Sequence, residues 1–387
     1  MNNFEFYGPT RVLFGKGMIS KLSDYIDKNQ KILMIYGGGS IKKNGVYDQV
    51  KKALEGYNLL EFGGIEPNPK YETCMKAVEL IKKENIDFLL SVGGGSTLDG
   101  TKFIAAAAKY TGNEDPYDAI VRTDGKNVVD ALPIADVITL PATGSEMNNG
   151  AVISKLETNE KLPFHSEKVF PKVSIIDPSV TFSLPEKQTI NGIVDTFVHT
   201  MEQYCTYDVN TPLQDLWSLG LLRTLIQEAP KVLKNPQDYD ARANVFWCAT
   251  CGLNCWIAQG VVEDWSTHLI GHELTAFYGI DHGQSLAIVL PRLLKNQLET
   301  KKQKLAKLAK EVFNIQESDE EKAAILAIEK IEEFFNSIGM KTKLSDYNVE
   351  SLDAAEKVKD RFLKRGTKIG EKGIIDGNVA YDILKNC

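Results

Sequence analysis

Histidine is scarce in this chain, with five in 387 residues. Cysteine is nearly as rare, and its six positions form no disulfide framework in so long a chain. Long apolar runs are missing, so no membrane partner is expected. The first fifteen residues, MNNFEFYGPTRVLFG, lack the basic-then-apolar pattern of a secretory leader, and a cytoplasmic protein is expected. Basic charge is in deficit: 45 Lys and Arg face 52 Asp and Glu, for a net charge of −7 and a pI near 5.5. That balance argues against nucleic acid or an anionic membrane as the main partner. The local cluster Lys301-Lys302-Gln303-Lys304 reads as the solvated face of a helix.

What is present divides the chain in two. Short apolar runs alternate with helical patterns through the first half, as in KILMIYGGGS, the amphipathic YETCMKAVELIKKENI and DFLLSVGGGSTLDGTKFIAAAAKY. Such alternation predicts a parallel, Rossmann-like wound sheet with ligands at the C-terminal ends of its strands. After Leu184-Pro185 apolar residues recur at helical spacing and strand patterns nearly vanish. The expectation is an α/β dinucleotide-binding domain over 1–183 and an all-α metal-binding and catalytic domain over 184–387.

Three of the five histidines fall in residues 265–283, WSTHLIGHELTAFYGIDHG. His268 and His272 are four residues apart and share a helix face; Gly279 breaks that helix, and His282 opens the next apolar run. Upstream, Asp195 and His199 form a second four-residue pair in an apolar helix, where an unpaired carboxylate is costly to bury. Two helices and a turn bring one carboxylate and two or three imidazoles together, a set that suits zinc or iron(II), with a satisfied core contact as the plainer alternative. Cys248, Cys251 and Cys255 stack along one helix face by spacing, but they lack a fourth ligand and a loop knuckle and read as small core residues.

Two glycine turns follow strands directly. Gly37, Gly38, Gly39 and Ser40 end the first; Gly94, Gly95 and Ser96, with Asp99 a few residues on, open a helix after the second. Glycines there let a pyrophosphate reach backbone N–H groups and the positive helix end, although neither turn matches G-x-G-x-x-G. The first turn has no carboxylate for a ribose 2′-OH and carries Lys42 and Lys43 just beyond, which favours NADP(H) over NAD. Thr139, Thr143 and Ser145, in the polar stretch that runs to Met147, offer hydroxyls to the nicotinamide ribose and amide.

Together, GGGS at 93–96 with Asp99, PATGSE at 141–146, the Asp195/His199 pair and H-x3-H-x9-H followed by GQSLAIVLP resemble the iron-containing (group III) alcohol dehydrogenases over the whole chain. ARANVFWCAT and GGGSIKKNGVYDQV are similar to the NADP-dependent aldehyde reductase and butanol dehydrogenase branch. The resemblance implies the dehydroquinate synthase-like fold, a homodimer, and a small aldehyde or primary alcohol as substrate. It implies that Asp195, His199, His268 and His282 hold one divalent ion, with His272 beside it as a proton relay. Lys161 stands where the family has a lysine near the cofactor ribose, and Gly38 where NAD-preferring members carry an aspartate. The 141–146 loop departs from the longer PTTAGTGSE pattern of the family. A glycerol dehydrogenase-like enzyme, with three protein ligands, and a metal-dependent hydrolase, for which Glu273 would have to serve as base, are the alternatives.

Overall fold

Valine, isoleucine and leucine dominate most of the eight strands of the computed structural model, which describes residues 1–387. Six strands form one sheet: β1 (Arg11–Phe14), β2 (Lys31–Tyr36), β3 (Asn58–Gly63), β4 (Phe88–Gly93), β5 (Ile134–Ile138) and, after the pair described next, β8 (Val173–Ile176). β6 (Gly150–Lys155) and β7 (Glu160–His165) pair antiparallel as a separate hairpin. The sheet order is β1-β8-β5-β4-β2-β3, and every pairing in it is parallel.

Alternation along the strands supplies two cores, one on each face. Ile32, Met34, Phe88, Leu90 and Val92 pack with α1 (Ser40–Lys43) and α2 (Val46–Ala53). Leu33, Ile35 and Leu89 face α3 (Tyr71–Glu84) and α4 (Gly95–Lys109). The alanine run 105–108 lets α4 lie almost wholly buried against the sheet.

The rest of the chain is helical: α5 (Glu186–Tyr204), α6 (Pro212–Lys234), α7 (Tyr239–Gly252), α8 (Ser266–Tyr278), α9 (His282–Asn296), α10 (Leu298–Glu311), α11 (Glu320–Ser337), α12 (Ser351–Arg365) and α13 (Gly377–Leu384). No helix is long and apolar enough to cross a membrane. α5 is buried from Gly192 to its last residue, Tyr204, and packs against α6, α8 and α9.

The chain forms two units. One comprises Tyr7–Pro185 and Pro236–Thr250; the other Met1–Phe6, Glu186–Asn235 and Cys251–Cys387. The main passage falls at Pro185, two residues from the sequence boundary at 183, but the single boundary does not account for the first six residues or for α7. Phe246 of α7 is buried with Ile138 and Ile176, and Trp247 packs edge-on against Phe14 at 5.6 Å. Apolar spacing marks 236–250 as a helix without saying which core it joins.

Two readings are corrected. α7 ends at Gly252, and Cys255 lies beyond it with φ +69°, so the three cysteines do not share a helix face. Asn254 Oδ1 accepts the Trp256 N–H at 3.1 Å, an Asx turn that competes with helix continuation. Lys301 and Lys304 are buried rather than solvated. Lys301 Nζ donates to Asp264 at 2.9 Å and to the Cys205 carbonyl at 2.8 Å, and Lys304 pairs with Asp215.

Candidate active site

In the sheet-bearing unit, β2, β4 and β5 lie side by side, with Tyr36 opposite Val92 and Gly93 opposite Ile138. Their C-terminal ends therefore bring three of the expected segments together: Gly37, Gly38, Gly39 and Ser40; Gly94, Gly95 and Ser96; and the loop from Thr139 to Met147. Thr139 N donates to the Gly93 carbonyl at 2.9 Å. Gly95 has no room for a side chain, since a Cβ would lie 2.3 Å from Thr143 Oγ1. Gly38 is the opposite case: a Cβ there meets nothing within 4 Å. Ser40 is exposed at the start of α1, and Ser96 Oγ accepts the Asn68 N–H at 3.3 Å. Lys161 sits on β7 opposite Ser154 and is largely buried.

Asp99 and Ser145 face each other rather than open space. Ser145 Oγ donates to Asp99 Oδ1 at 2.7 Å, and Asp99 Oδ2 accepts the Val152 N–H at 3.0 Å. Burial raises the Asp99 carboxyl against the pull of Lys102. Lys102, which the sequence reading passed over, is fully buried on α4. Its ammonium donates to the carbonyls of Ser145, Asn148 and Gly150 at 2.7, 2.9 and 2.8 Å and to Asn148 Oδ1 at 3.0 Å, fastening the 145–150 segment. Beneath it, Ser174 Oγ donates to the Glu146 carbonyl at 2.7 Å and contacts Asp136 Oδ2. The one serine proton cannot serve the Glu146 carbonyl and the carboxylate at once, which leaves little to favour an ionised Asp136. Burial raises its carboxyl well above the usual range, and Glu146 adds to the effect.

The helical unit gathers the other cluster. Asp195 and His199 are one turn apart on α5, His268 and His272 one turn apart on α8, and His282 is the first residue of α9. The α8–α9 break is built by Gly279 at φ +68° and a capping box between Asp281 and Gln284. α9 then approaches α5 at a glycine: a Cβ on Gly283 would lie 2.7 Å from the Asn191 carbonyl oxygen. Asp195 Oδ1 lies 3.5 Å from His199 Nε2, 3.6 Å from His268 Nε2 and 3.4 Å from His282 Nε2. The chosen ligand atoms of Asp195, His268 and His282 all fall within 4.8 Å of one another. The His199 ring stacks on His268 at 4.6 Å, while the His272 ring stands 6.2 Å from His268 and 5.4 Å from His282.

These donors fit a metal ion. Asp195 Oδ1 and His268 Nε2 are buried with no hydrogen-bond partner. A tetrahedral ion ~2.0–2.1 Å from each donor spaces neighbouring donors roughly 3.3–3.4 Å apart, close to the three separations from Asp195, although His199 falls outside the group that lies within 4.8 Å of one another. The electrostatics agree. Burial works against the Asp195 carboxylate, yet His199 and His282 hold it well below its ordinary range. Burial pushes the His268 imidazole down, but Glu202 and Asp195 outweigh it and raise it to about 9. Positive charge is therefore favoured at this point, and a divalent cation would supply it in place of protons.

Residues 9–178 match the family model for iron-containing alcohol dehydrogenase, and residues 189–368 match the C-terminal model of the same family. The chain belongs to the iron-containing alcohol dehydrogenase family. As a member it is an oxidoreductase. It is 51% identical to the NADPH-dependent aldehyde reductase YqhD of Escherichia coli, covering 100% of this chain and 99% of that one. The solved structure of that relative superposes with a TM-score of 0.97 at 49% identity, over 100% of this chain and 98% of that chain. The NADP-dependent alcohol dehydrogenase 3 of Entamoeba histolytica is 45% identical over 100% of this chain and 99% of its own. The solved NADH-dependent butanol dehydrogenase A of Thermotoga maritima is 37% identical with a TM-score of 0.93, covering 100% and 98% of the two chains.

Two carboxylates near this family site bear on its chemistry. Glu273, which the hydrolase alternative requires as a base, is neutralised by Arg361 at 2.5 Å and Arg365 at 2.8 Å. Glu202 was missed by the sequence reading, although it continues the Asp195/His199 face of α5 at the next helical step. Its carboxylate contacts His268 Nδ1, and its Oε1 accepts the Thr267 N–H at 2.5 Å.

Proposed function

We propose that the protein is a metal-dependent NADP(H) alcohol dehydrogenase and aldehyde reductase that interconverts short- to medium-chain aldehydes and primary alcohols. The observation that carries this reading is the buried Asp195 oxygen facing the Nε2 atoms of His199, His268 and His282 at 3.4–3.6 Å. Whole-length similarity to the E. coli aldehyde reductase supports the substrate class.

Asp195, His199, His268 and His282 would hold one divalent ion, iron(II) or zinc. When bound, the ion supplies Lewis acidity toward a carbonyl or alcohol oxygen, and NADP(H) supplies or takes the hydride. His272, on the same α8 face as His268 but with its ring displaced, holds the exchanged proton on its imidazole. Gly94, Gly95 and Ser96 present backbone N–H groups to the pyrophosphate. Thr139, Thr143, Met147 and Lys161 serve the nicotinamide riboside end, while Asp99 and Ser145 serve by holding the loop. Gly37, Gly38, Gly39 and Ser40 receive the adenosine ribose. NADP(H) is favoured because these four positions carry no carboxylate and Lys42 and Lys43 follow them. Glu61, on the neighbouring strand β3, is met by Lys42 at 3.8 Å, Lys51 at 3.5 Å and the Tyr47 hydroxyl at 2.6 Å.

The test is NADPH and NADH consumption with straight-chain aldehydes on metal-analysed protein. NADPH should give the higher kcat/KM. His268→Ala should lose metal and turnover together. His272→Phe should keep the metal and lose about 10²–10⁴-fold in turnover. Full metal content in His268→Ala, or equal use of the two cofactors by the parent, overturns the corresponding part of the reading.

A further inference from the structure

We propose that Glu202 is the positioning residue of the metal centre: one carboxylate fixes the tautomer of His268 and pins the start of the helix that carries it. The proposal rests on the ligand set given above.

Both oxygens of Glu202 are engaged, and each does a different task. Oε1 accepts the backbone N–H of Thr267 at 2.5 Å and of His268 at 3.4 Å, two of the amides that the first turn of α8 leaves without helical partners. Oε2 contacts His268 Nδ1. A carboxylate beside Nδ1 keeps the proton there and leaves the Nε2 lone pair toward Asp195 Oδ1, where that nitrogen has no hydrogen-bond partner. The Glu202 main chain adds a third tie, since its carbonyl accepts the Asp264 N–H at 3.0 Å. Asp264 is itself anchored by the buried Lys301 at 2.9 Å and accepts the Ser266 N–H at 2.9 Å.

The turn so clamped contains Trp265 at φ +60°, a left-handed conformation unusual for a bulky side chain. Its ring packs edge-on against His268 at 5.3 Å and His199 at 6.1 Å. The ligand-bearing helix is thus held at its first residues by a side chain from α5, the helix that supplies Asp195 and His199. A rigid entry and a fixed tautomer lower the cost of assembling the site when the ion arrives.

A merely structural Glu202 and a positioning Glu202 differ in what Glu202→Gln does. A glutamine has nearly the same shape and can still accept the α8 amides. Turned to do so, its NH₂ faces His268 Nδ1 and donates, which moves the imidazole proton to Nε2 and opposes coordination. The experiment loads parent and variants with zinc or cobalt(II), follows metal loss to a chelator, records the cobalt(II) d–d spectrum, and measures Tm of the metal-free proteins.

Expected are a metal-free Glu202→Gln Tm close to the parent's, about 10–100-fold weaker metal retention, and an altered cobalt spectrum. Glu202→Asp, which keeps the charge, should recover part of the retention. Parent-like retention with an unchanged spectrum in Glu202→Gln overturns the proposal, as does an equal fall in metal-free Tm and retention with no rescue by aspartate. Imidazole ¹⁵N shifts of the zinc-loaded parent supply a variant-free measurement: Nδ1 of His268 must carry the proton and Nε2 the metal, and the reverse overturns the proposal. His268→Ala separates this failure from that of the ligand set, because full metal content there removes the site itself.

Discussion

Single side chains in this protein are set by what surrounds them more than by their type. Asp136 shows it most sharply, as a carboxyl that burial raises well above the usual range beside a serine with one proton for two acceptors. A carboxyl raised in the folded state keeps its proton while the unfolded chain loses one. Its stabilising contribution is therefore whole below the ordinary carboxylate range and is lost as pH rises. Asp136→Asn keeps a donor toward Ser174 and cannot ionise. Its stability relative to the parent should grow above pH ~4 by up to about 1.4 kcal/mol per pH unit. Urea unfolding at pH 5 and pH 7 reads this directly, and a pH-independent difference counts against a neutral Asp136. Gly38 is the second case. Its Cβ position is open, and its φ lies outside the left-handed range, so Gly38→Asp should fold like the parent. Its carboxylate would repel a 2′-phosphate and accept from a 2′-OH, moving the NADPH-to-NADH ratio of kcat/KM toward NADH. The histidines and glycines were legible in the sequence because their residue types and spacing carry chemistry by themselves. Glu202, Lys102 and Asp136 were not, because an acid or lysine in a helix or strand reads as surface until the fold buries it.

Elements were legible wherever periodicity was strong. β2, β4, α3 and α4 follow their apolar patterns, and the break at Gly279 falls where glycine predicts it. α7 was misjudged at its end because an Asx turn at Asn254 outweighs the apolar spacing that continues past Gly252. The junction of α5 with α9 was invisible, since nothing local to Gly283 announces the Asn191 carbonyl against it. That junction can be tested by adding one methyl group. Gly283→Ala places a Cβ 2.7 Å from backbone oxygen, so α9 must shift away from α5. Overpacking of this kind typically costs about 1–3 kcal/mol. His282 moves with α9, so metal content should fall along with Tm. An unchanged metal content in a destabilised protein would mean that His282 reaches Asp195 independently of this contact.

On the scale of the whole molecule, the α/β half and the helical half were read correctly from the change of pattern near Pro185. Their composition was not, because membership in a core depends on contacts far apart in sequence. Residues 236–250 complete the sheet-bearing unit: Phe246 covers Ile138 and Ile176, and Thr250 Oγ1 donates to the buried Glu146 at 2.5 Å. A fragment of residues 7–185 should accordingly show a broad, weakly cooperative urea transition by circular dichroism. The same fragment with 236–250 joined through a flexible linker should unfold cooperatively. Equal cooperativity in both would show that α7 is dispensable to that unit.

The same threading sets a schedule for the nascent chain. The strands of the sheet are all synthesised by Ile176, but the segment that closes over them ends at Thr250, after Glu186–Asn235 of the other unit. At ~5–20 residues per second, translation from Pro185 to Thr250 takes roughly 3–13 s. For that interval Ile138 and Ile176 lack the cover of Phe246 and the Glu146 carboxyl lacks Thr250, which makes them the surface a ribosome-associated chaperone would meet.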